Sequence, residues 1–206
     1  MKNIILDVDG TLWNTTEVVA KAWNKAIKEV GGIDKVITAS MLRKEFGKPM
    51  NVIADDLFDG VDEKTKQLLL NKCCKYEHEE LEKNTDNLLF PDVVETLEKL
   101  SHKYGLFIVS NCQSGYIELF MKKAGIENLI TDHECFGNTK MSKGENIKLV
   151  IERNHLEDVI YVGDTKGDYE ATVVAGIPFV FAKYGFGSSE NYYLAIDGIK
   201  ELLNLN

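Results

Sequence analysis

The spacing of hydrophobic positions changes twice along this chain and divides it into three parts. A short apolar strand, Asn3-Ile4-Ile5-Leu6, comes first and ends at a turn around Gly10. From about residue 15 to residue 87, apolar side chains recur every three or four positions, as is typical of amphipathic helices. From about residue 88 onward, short apolar runs alternate with helical patterns. The pattern predicts one domain interrupted by a helical insertion.

Three continuous apolar runs in the last part predict buried strands. They are Leu106–Val109 directly after Gly105, Val159–Val162 directly before Gly163, and Ile177–Phe181. Strands that are buried on both faces and alternate with helices form parallel sheets with right-handed crossovers. The predicted fold class is therefore α/β, with a Rossmann-like parallel sheet core and helices on both faces. In such sheets, ligands bind beyond the carboxyl ends of the strands.

The middle part of the chain shows no convincing strand pattern. Three glycine-containing breaks separate its helical stretches, which predicts about four helices. We therefore expect residues 1–14 and 88–206 to form the α/β core and residues 15–87 to form an all-helical cap. Because the insertion directly follows the first strand, it is expected to lie over the strand ends, where it can close on a ligand as a lid.

Composition narrows the classes of partner. The chain has 206 residues, a net charge of -9 and a pI near 5.0, which disfavours nucleic acids and anionic membranes as main partners. No stretch approaches the roughly 18 apolar residues of a membrane helix, and Asp7 interrupts the apolar run that a signal peptide would need. The cysteines lack a CxxC pair, so we expect reduced thiols in a cytoplasmic protein. We also expect either a monomer or a weak homodimer.

Two carboxylates follow the first strand in Asp7-Val8-Asp9-Gly10-Thr11. If the backbone stays extended, Asp7 and Asp9 point to the same side of the sheet. Two carboxylates at such a short distance repel each other unless a proton or a metal cation offsets their charge. The alternative is that the aspartate-glycine pair merely forms a turn at the end of the strand.

Polar residues also lie at the end of the second predicted strand and at the start of a later predicted helix. Ser110 and Asn111 come directly after the second predicted strand, where a hydroxyl and the following backbone N–H groups can hold an anion, although such a pair is also ordinary turn chemistry. Lys143 opens a predicted helix, and a lysine there opposes the helix macrodipole. A bound phosphate would relieve this conflict. Lys140 lies nearby and is the alternative cation.

A second pair of acids follows the third predicted strand, in Gly163-Asp164-Thr165-Lys166-Gly167-Asp168. If Asp164 and Asp168 meet Asp7 and Asp9 at the carboxyl edge of the sheet, the four carboxylates need a cation. An all-oxygen set of ligands selects magnesium over zinc. The alternative is that Asp164 and Asp168 both cap the helix that follows.

These motifs, taken in order and each at a strand end, resemble the four motifs of the haloacid dehalogenase superfamily. The helical insertion is similar to the cap of its phosphoglycolate phosphatase-like and β-phosphoglucomutase-like branch. The segment Phe90-Pro91-Asp92-Val93 resembles the stretch by which that branch re-enters its core. The resemblance covers essentially the whole chain.

The resemblance implies specific roles for the four acids. Asp7 would be the nucleophile that forms an aspartyl-phosphate, and Asp9 would be the general acid and then the base that activates water. Mg²⁺ would be held by the Asp7 side chain, the Asp9 backbone carbonyl and Asp164, with Asp168 in support. Phosphoryl transfer needs positioning and charge neutralisation, and such residues supply both.

Further residues are predicted to contact the substrate. The resemblance implies that Ser110 and Lys143 bind the transferring phosphoryl group, and Thr11 and Asn111 are grouped with them. In many relatives a proline follows the motif lysine, whereas glycine follows Lys143 here, so Lys140 stays open as the ligand. Lys48 lies in a turn of the predicted lid and is the candidate for reading the rest of the substrate.

The leading hypothesis is a Mg²⁺-dependent phosphatase acting on a small soluble phosphomonoester. A β-phosphoglucomutase-like sugar-phosphate mutase on the same scaffold is the first alternative, although no segment resembles the substrate signature of the mutase cap. A different class is a receiver-like regulatory domain, but there the acid pair precedes the phosphorylated aspartate in sequence. A catalytically silent phosphate-binding protein is the last alternative, and an assay distinguishes it.

Overall fold

A computed structural model describes residues 3–205, and its strands form a single sheet. The strands are β1 (Asn3–Leu6), β2 (Gly105–Ser110), β3 (Asp132–Cys135), β4 (Val159–Gly163), β5 (Phe179–Ala182) and β6 (Leu194–Ile196). All neighbours in the order β3-β2-β1-β4-β5-β6 run parallel. The predicted α/β fold class is confirmed.

Four helices lie within residues 15–87, after β1. They are α1 (Thr16–Val30), α2 (Ala39–Glu45), α3 (Met50–Leu57) and α4 (Glu63–Lys83). The all-helical insertion of about four helices is therefore confirmed. The remaining helices are α5 (Val93–Ser101), α6 (Tyr116–Ala124), α7 (Phe136–Thr139), α8 (Lys143–Arg153), α9 (Lys166–Ala175) and a 3-10 helix at Ile199–Asn204. Within residues 3–205, no helix combines the length and the apolarity that crossing a membrane requires.

The first strand lies at the centre of the sheet, and the chain reverses its direction of winding there. Leu6 of β1 is in register with Ile108 of β2 on one side and with Val162 of β4 on the other. Ile4 and Leu6 pack with α5 and α6 on one face, and Ile5 packs with α8 and α9 on the other. The ends of β2 and β4 thus flank the end of β1, which is where sheets of this kind bind ligands.

The sequence pattern did not predict β3 or β6, and it placed the start of β5 two residues too early. β3 reads Asp-His-Glu-Cys and lies at the sheet edge, so it shows no apolar run. β6, at the other edge, has only three residues. β5 begins at Phe179 rather than at Ile177, because the backbone N–H of Ile177 still donates to Thr172 at the end of α9. Pro178, between them, has no N–H to donate to the sheet.

The chain leaves the sheet for the insertion and returns from it along two adjacent segments. The backbone N–H of Asn14 donates to the carbonyl of Leu88 (2.8 Å), and that of Phe90 donates to the carbonyl of Leu12 (3.0 Å). The two connections are therefore hydrogen-bonded to each other. This pairing supports the division into residues 1–14 and 88–206 as core and residues 15–87 as cap, which stays a prediction.

Candidate active site

β1 delivers Asp7 into the middle of the carboxyl edge of the sheet. Its backbone N–H donates to the carbonyl of Val162 (2.9 Å), so Asp7 prolongs the pairing with β4. The carboxylate is fully buried, and neither oxygen accepts a hydrogen bond of good geometry. Burial raises the pKa of Asp7 to about 6, and the ammonium of Lys143 opposes this rise. A buried carboxylate with open acceptor sites calls for a further partner that offsets its charge.

Lys143 places its ammonium between two buried carboxylates. Its Nζ lies 3.1 Å from Oδ1 of Asp7 and 2.5 Å from Oδ1 of Asp168. Burial alone would lower the pKa of Lys143, but Asp168 and Asp7 raise it above the usual value, so the ammonium stays charged. Lys140 is exposed, and its Nζ donates to the carbonyl of Gly137 (2.9 Å). The structure brings Lys143, and not Lys140, to Asp7.

Asp164 follows β4 and is buried against the turn after β1. Its Oδ1 accepts a hydrogen bond from the Thr11 hydroxyl (3.3 Å), and its Oδ2 accepts one from the backbone N–H of Phe186 (2.7 Å). Gly10 has φ of +82°, and a Cβ there would lie 2.3 Å from Oδ2 of Asp164. This turn therefore requires glycine. Burial is the largest of the causes that raise the pKa of Asp164 to about 8.

Three of the predicted acids converge at the end of the sheet. One carboxylate oxygen each of Asp7, Asp164 and Asp168 lies within 4.8 Å of the others, and all three residues are buried. Their donor set consists of oxygen alone, which suits Mg²⁺. Within residues 3–205 the Asp7 oxygens accept no hydrogen bond of good geometry, although Lys143 Nζ lies 3.1 Å from Oδ1, so ligand positions on them stay open. These residues therefore fit the predicted ion.

Asp168 uses its second oxygen to hold the start of α9. Thr165 is the N-cap, its hydroxyl accepts from the backbone N–H of Asp168 (3.1 Å), and Oδ2 of Asp168 accepts from the backbone N–H of Thr165 (2.9 Å). Oδ2 also accepts from the backbone N–H of Asp164 (3.1 Å). The capping residue is thus Thr165, with Asp168 in a reciprocal capping box, rather than the two aspartates that the sequence suggested.

The Asp9 carboxylate has a different set of neighbours from Asp7. Its Oδ1 accepts hydrogen bonds from the Tyr116 hydroxyl (2.8 Å) and the Thr15 hydroxyl (3.1 Å). Burial is the main cause that raises the pKa of Asp9 to about 8, although the Tyr116 hydroxyl opposes the rise, and Asp7 and Glu77 raise it further. A carboxyl with such a pKa keeps its proton at neutral pH, so it can act as a general acid.

The residues predicted to contact phosphate are placed unequally. Ser110 is buried beside Asp7, whose pKa its hydroxyl helps to lower. Asn111 donates from Nδ2 to the carbonyl of Gly47 in the cap (2.8 Å), and its buried Oδ1 has no partner. The hydroxyl and the backbone N–H of Thr11 are both used within the protein, so the phosphate contact predicted for Thr11 has no free donor in this geometry.

Lys48 lies in the turn between α2 and α3 and faces the strand ends. Its Nζ donates to Oε2 of Glu45 and to Oδ2 of Asp56, each at 2.7 Å. Next to it, the ring of Phe46 lies 6.2 Å from that of Phe186 in the core. The turn thus docks on the core, as expected of a lid, while two cap carboxylates offset the charge of Lys48. Its contact with substrate stays a prediction.

A cavity of about 30 Å³ lies between the cap and the carboxyl edge. Asp9, Ser110 and Gln113 line it from the core, and Lys48 and Glu77 line it from the cap. The cavity is small for a phosphomonoester. We therefore expect the cap to move away from the strand ends when one binds.

Comparison with known protein families identifies the family of this chain. The model described as haloacid dehalogenase-like hydrolase matches residues 4–182, most of the chain. The chain belongs to this family. The resemblance inferred from four strand-end motifs is confirmed, and so is the prediction that the protein is a hydrolase.

Named relatives of this haloacid dehalogenase-like hydrolase come from several bacteria. The phosphoglycolate phosphatase of Shigella boydii serotype 4 (strain Sb227) is 27% identical over 227 residues, covering 96% of this chain and 85% of that protein. The phosphoglycolate phosphatase of Vibrio parahaemolyticus is 25% identical over 228 residues, covering 100% of this chain and 96% of that protein.

Solved structures share the fold over almost the whole length. A predicted phosphoglycolate phosphatase from Haemophilus somnus 129pt superposes with a TM-score of 0.87 at 22% identity, over 99% of this chain and 97% of that one. A haloacid dehalogenase-like family hydrolase from Streptococcus pneumoniae superposes with a TM-score of 0.85 at 21% identity, over the same shares of the two chains.

Sequence reasoning missed three parts of the site in this haloacid dehalogenase-like hydrolase. Tyr116 was assigned to no role, although it holds Asp9. The loop after β5 supplies Gly185 and Phe186 against Asp164, and a Cβ on Gly185 would lie 2.2 Å from Cβ of that aspartate. Glu77 is buried in the cavity wall, at a position that prolongs the apolar stripe of α4. The spacing of Leu69, Cys73, Glu77 and Leu81, four residues apart, was the available signal.

Proposed function

We propose that this protein is a Mg²⁺-dependent phosphatase that hydrolyses a small phosphomonoester through an aspartyl-phosphate on Asp7. The observation that carries the proposal is the buried Asp7 carboxylate, whose oxygens lack hydrogen bonds of good geometry although Lys143 Nζ lies 3.1 Å away. A carboxylate with free lone pairs beside a fixed cation suits nucleophilic attack on a dianionic phosphoryl group.

The two acids divide the proton and electron movements. An Asp7 oxygen attacks phosphorus, the bond from phosphorus to the leaving oxygen breaks, and that oxygen takes the proton from Asp9. The Asp9 carboxylate then removes a proton from water, whose oxygen attacks the same phosphorus. The bond from phosphorus to Asp7 breaks, and inorganic phosphate leaves. The raised pKa of Asp9, about 8, supports its starting in the protonated form.

The neighbouring residues position the phosphoryl group. Lys143 and Ser110, both buried next to Asp7, would bind its oxygens, and Asn111 offers its amide from the next position. The fixed ammonium of Lys143 needs no reorganisation during the reaction, because Asp168 holds it at 2.5 Å.

The predicted Mg²⁺ would be held by the side chains of Asp7 and Asp164 and by the backbone carbonyl of Asp9. Asp168 supports these ligands by holding Lys143 and the start of α9. When bound, the ion would offset negative charge on the transferring phosphoryl group. The gathering of three buried carboxylates within 4.8 Å supports this assignment.

The substrate is proposed as a small phosphorylated molecule. Relatives named phosphoglycolate phosphatase support this class. The cytoplasmic location and the monomeric or weakly dimeric state stay predictions. No described contact favours the mutase alternative over hydrolysis.

The test is phosphate release from p-nitrophenyl phosphate and from an alkyl phosphate by the purified protein. Turnover should require Mg²⁺, stop in excess chelator, and fall when Ca²⁺ replaces Mg²⁺, because the larger ion misplaces its ligands. Asp9→Asn should lose far more activity on the alkyl ester, whose leaving group needs a proton, than on the aryl ester. Full turnover in chelator would contradict the metal assignment, and migration of phosphate within a hexose phosphate without release would favour the mutase.

A further inference from the structure

Glu77 is a buried acid in the middle of α4, and the proposed reaction does not use it. The residue is 3% exposed and lines the cavity that Asp9 and Ser110 line from the core. Acidic side chains are almost never fully buried without a partner that offsets their charge. The partners of Glu77 therefore decide what it does.

Both partners of Glu77 are neutral. Its Oε2 accepts a hydrogen bond from Nε1 of Trp23 (2.8 Å), and its Oε1 accepts one from Nε2 of Gln113 (2.8 Å). Within residues 3–205, no lysine, arginine or histidine forms an ion pair with it. A carboxylate has about four acceptor positions, so two hydrogen bonds leave some of them free. Burial raises the pKa of Glu77 to about 7, against the effect of Gln113 and Trp23, so the group is charged at mildly alkaline pH.

The rest of the cavity wall offers no free positive charge at the end away from Asp7. Lys48 is the cation that lines it from the cap, and Glu45 and Asp56 offset its charge at 2.7 Å each. Lys143 lies at the phosphoryl end, where Asp7 and Asp168 offset its charge. Beside the apolar side chains of Phe46, Met50 and Ile53, a leaving group in this cavity therefore meets acceptors and amides.

The two hydrogen bonds to Glu77 also fix its position. Trp23 belongs to α1 and is fully buried, while Gln113 belongs to the loop between β2 and α6. The carboxylate is thus held from both the cap and the core. A group held from two sides cannot swing away from an approaching negative charge.

We propose that Glu77 selects the leaving group of the phosphomonoester, accepting a hydrogen bond from a hydroxyl or ammonium group on it and rejecting a carboxylate. This inference rests on the proposed phosphatase function. A carboxylate on the leaving group of a bound ester would face Glu77 across a poorly screened space, where like charges repel strongly. A hydroxyl or ammonium would instead fill an acceptor position that is otherwise left open.

Three esters of nearly equal length test the inference. They are 2-hydroxyethyl phosphate, 2-aminoethyl phosphate and 2-phosphoglycolate, which differ in the group at the far end of a two-carbon leaving group. At about pH 8, kcat/KM for each of the first two should exceed that for 2-phosphoglycolate by about tenfold or more. Equal values, or a preference for 2-phosphoglycolate, would overturn the inference.

Glu77→Gln separates selection from a structural role. The amide keeps the shape of the side chain, and the Gln113 amide can rotate to accept from it while Trp23 continues to donate. The preference over 2-phosphoglycolate should shrink by about tenfold, with kcat/KM for the carboxylate ester rising. A purely structural role predicts an equal loss on all three esters, and that result would overturn the inference. Glu80→Gln, one turn along α4 and paired with Lys25 at 3.2 Å, is the matched control and should leave the ratios unchanged.

p-Nitrophenyl phosphate tells failure of this inference from failure of the proposed function. Hydrolysis of the aryl ester without the expected ratios would leave the phosphatase function intact and remove the role of Glu77. Absence of hydrolysis of all four esters in Mg²⁺ by the folded protein would overturn both. Thermal unfolding of the wild type and both variants establishes that each protein assayed is folded.

Discussion

The carboxyl edge of the sheet and the cap wall that faces it hold their charged groups differently. At the sheet edge, the Lys143 ammonium lies within 3.1 Å of Asp7 and Asp168, and its side chain is 4% exposed. In the cap wall, Lys48 shares its ammonium between two carboxylates, but its side chain is 41% exposed. Removing one partner of a buried ion pair is strongly destabilising, whereas an exposed pair contributes little.

This difference suits two tasks. Under the proposed function, the edge must keep the same geometry for every phosphoryl group, and buried pairs with several hydrogen bonds would keep it. The cap would open for the substrate, and contacts that water can replace would permit that movement. Glu77 is the exception in the cap, since it is as buried as the acids at the sheet edge.

The largest expected effect is at the sheet edge. Asp7→Asn should lower phosphate release on the order of 10⁴-fold or more, because the amide is not a nucleophile. Asp168 still offsets the charge of Lys143 in this variant, so the melting temperature in the absence of metal should change little. Turnover within tenfold of the wild type would show that another residue attacks phosphorus.

The next effect distinguishes the two lysines. Lys143→Met should abolish activity and lower the free energy of unfolding by about 3–5 kcal/mol, because it leaves two buried carboxylates without their cation. Lys140→Met is the matched control, since this exposed ammonium donates to the carbonyl of Gly137, lies 5.5 Å from the ring centre of Phe136, and forms no ion pair within residues 3–205. Denaturant titration and phosphate release measure both quantities. A larger effect from Lys140→Met would reverse the assignment.

A smaller effect concerns the buried acid of the cap. Burial raises the pKa of Glu77 from 4.5 to about 7, so the folded state binds more protons than the unfolded state between these values. Its contribution to stability is therefore present at low pH and is lost as the pH rises through about 7. The free energy of unfolding of the wild type minus that of Glu77→Gln should decline between about pH 4.5 and pH 7. Parallel profiles would mean that Glu77 titrates normally.

The smallest effect is expected in the exposed part of the cap wall. Lys48→Ala should change the free energy of unfolding by about 0–1 kcal/mol and kcat/KM by less than about tenfold on aryl and alkyl phosphates alike. The reason is that Glu45 and Asp56 already satisfy the ammonium. A loss above tenfold confined to the alkyl ester would show that Lys48 contacts the substrate and would weaken the contrast between the two regions.

The site residues at the carboxyl edge of the sheet were predictable because each lies next to a strand that the sequence itself reveals. Asp7, Ser110 and Asp164 each end or follow a strand that an apolar run reveals, and parallel strands bring their carboxyl ends together. The resemblance favoured Lys143 but left Lys140 open. The N-cap at Ser142 starts α8 so that Lys143 lies in its buried first turn.

The missed features depend on contacts between distant parts of the chain. Glu77 is buried because Trp23 and Gln113, 54 and 36 residues away, both donate to it. Tyr116 reaches Asp9 across 107 residues. The strand β3 lies at the sheet edge and has no apolar run. Arg153 forms ion pairs with Asp132 and Glu134 of this strand. The spacing of apolar residues along the sequence does not indicate such contacts between distant residues.

The paired connections to the cap have a consequence for protein engineering. The hydrogen bonds between Asn14 and Leu88, and between Phe90 and Leu12, bring the two ends of the insertion side by side. The spacing of these ends is therefore set outside the inserted helices. A helical insert of another length, grafted between the same two segments, should leave the Asp7 end of β1 in place. Leaving-group preference and phosphoryl chemistry are thus separable modules of one chain, and one can be redesigned while the other is kept.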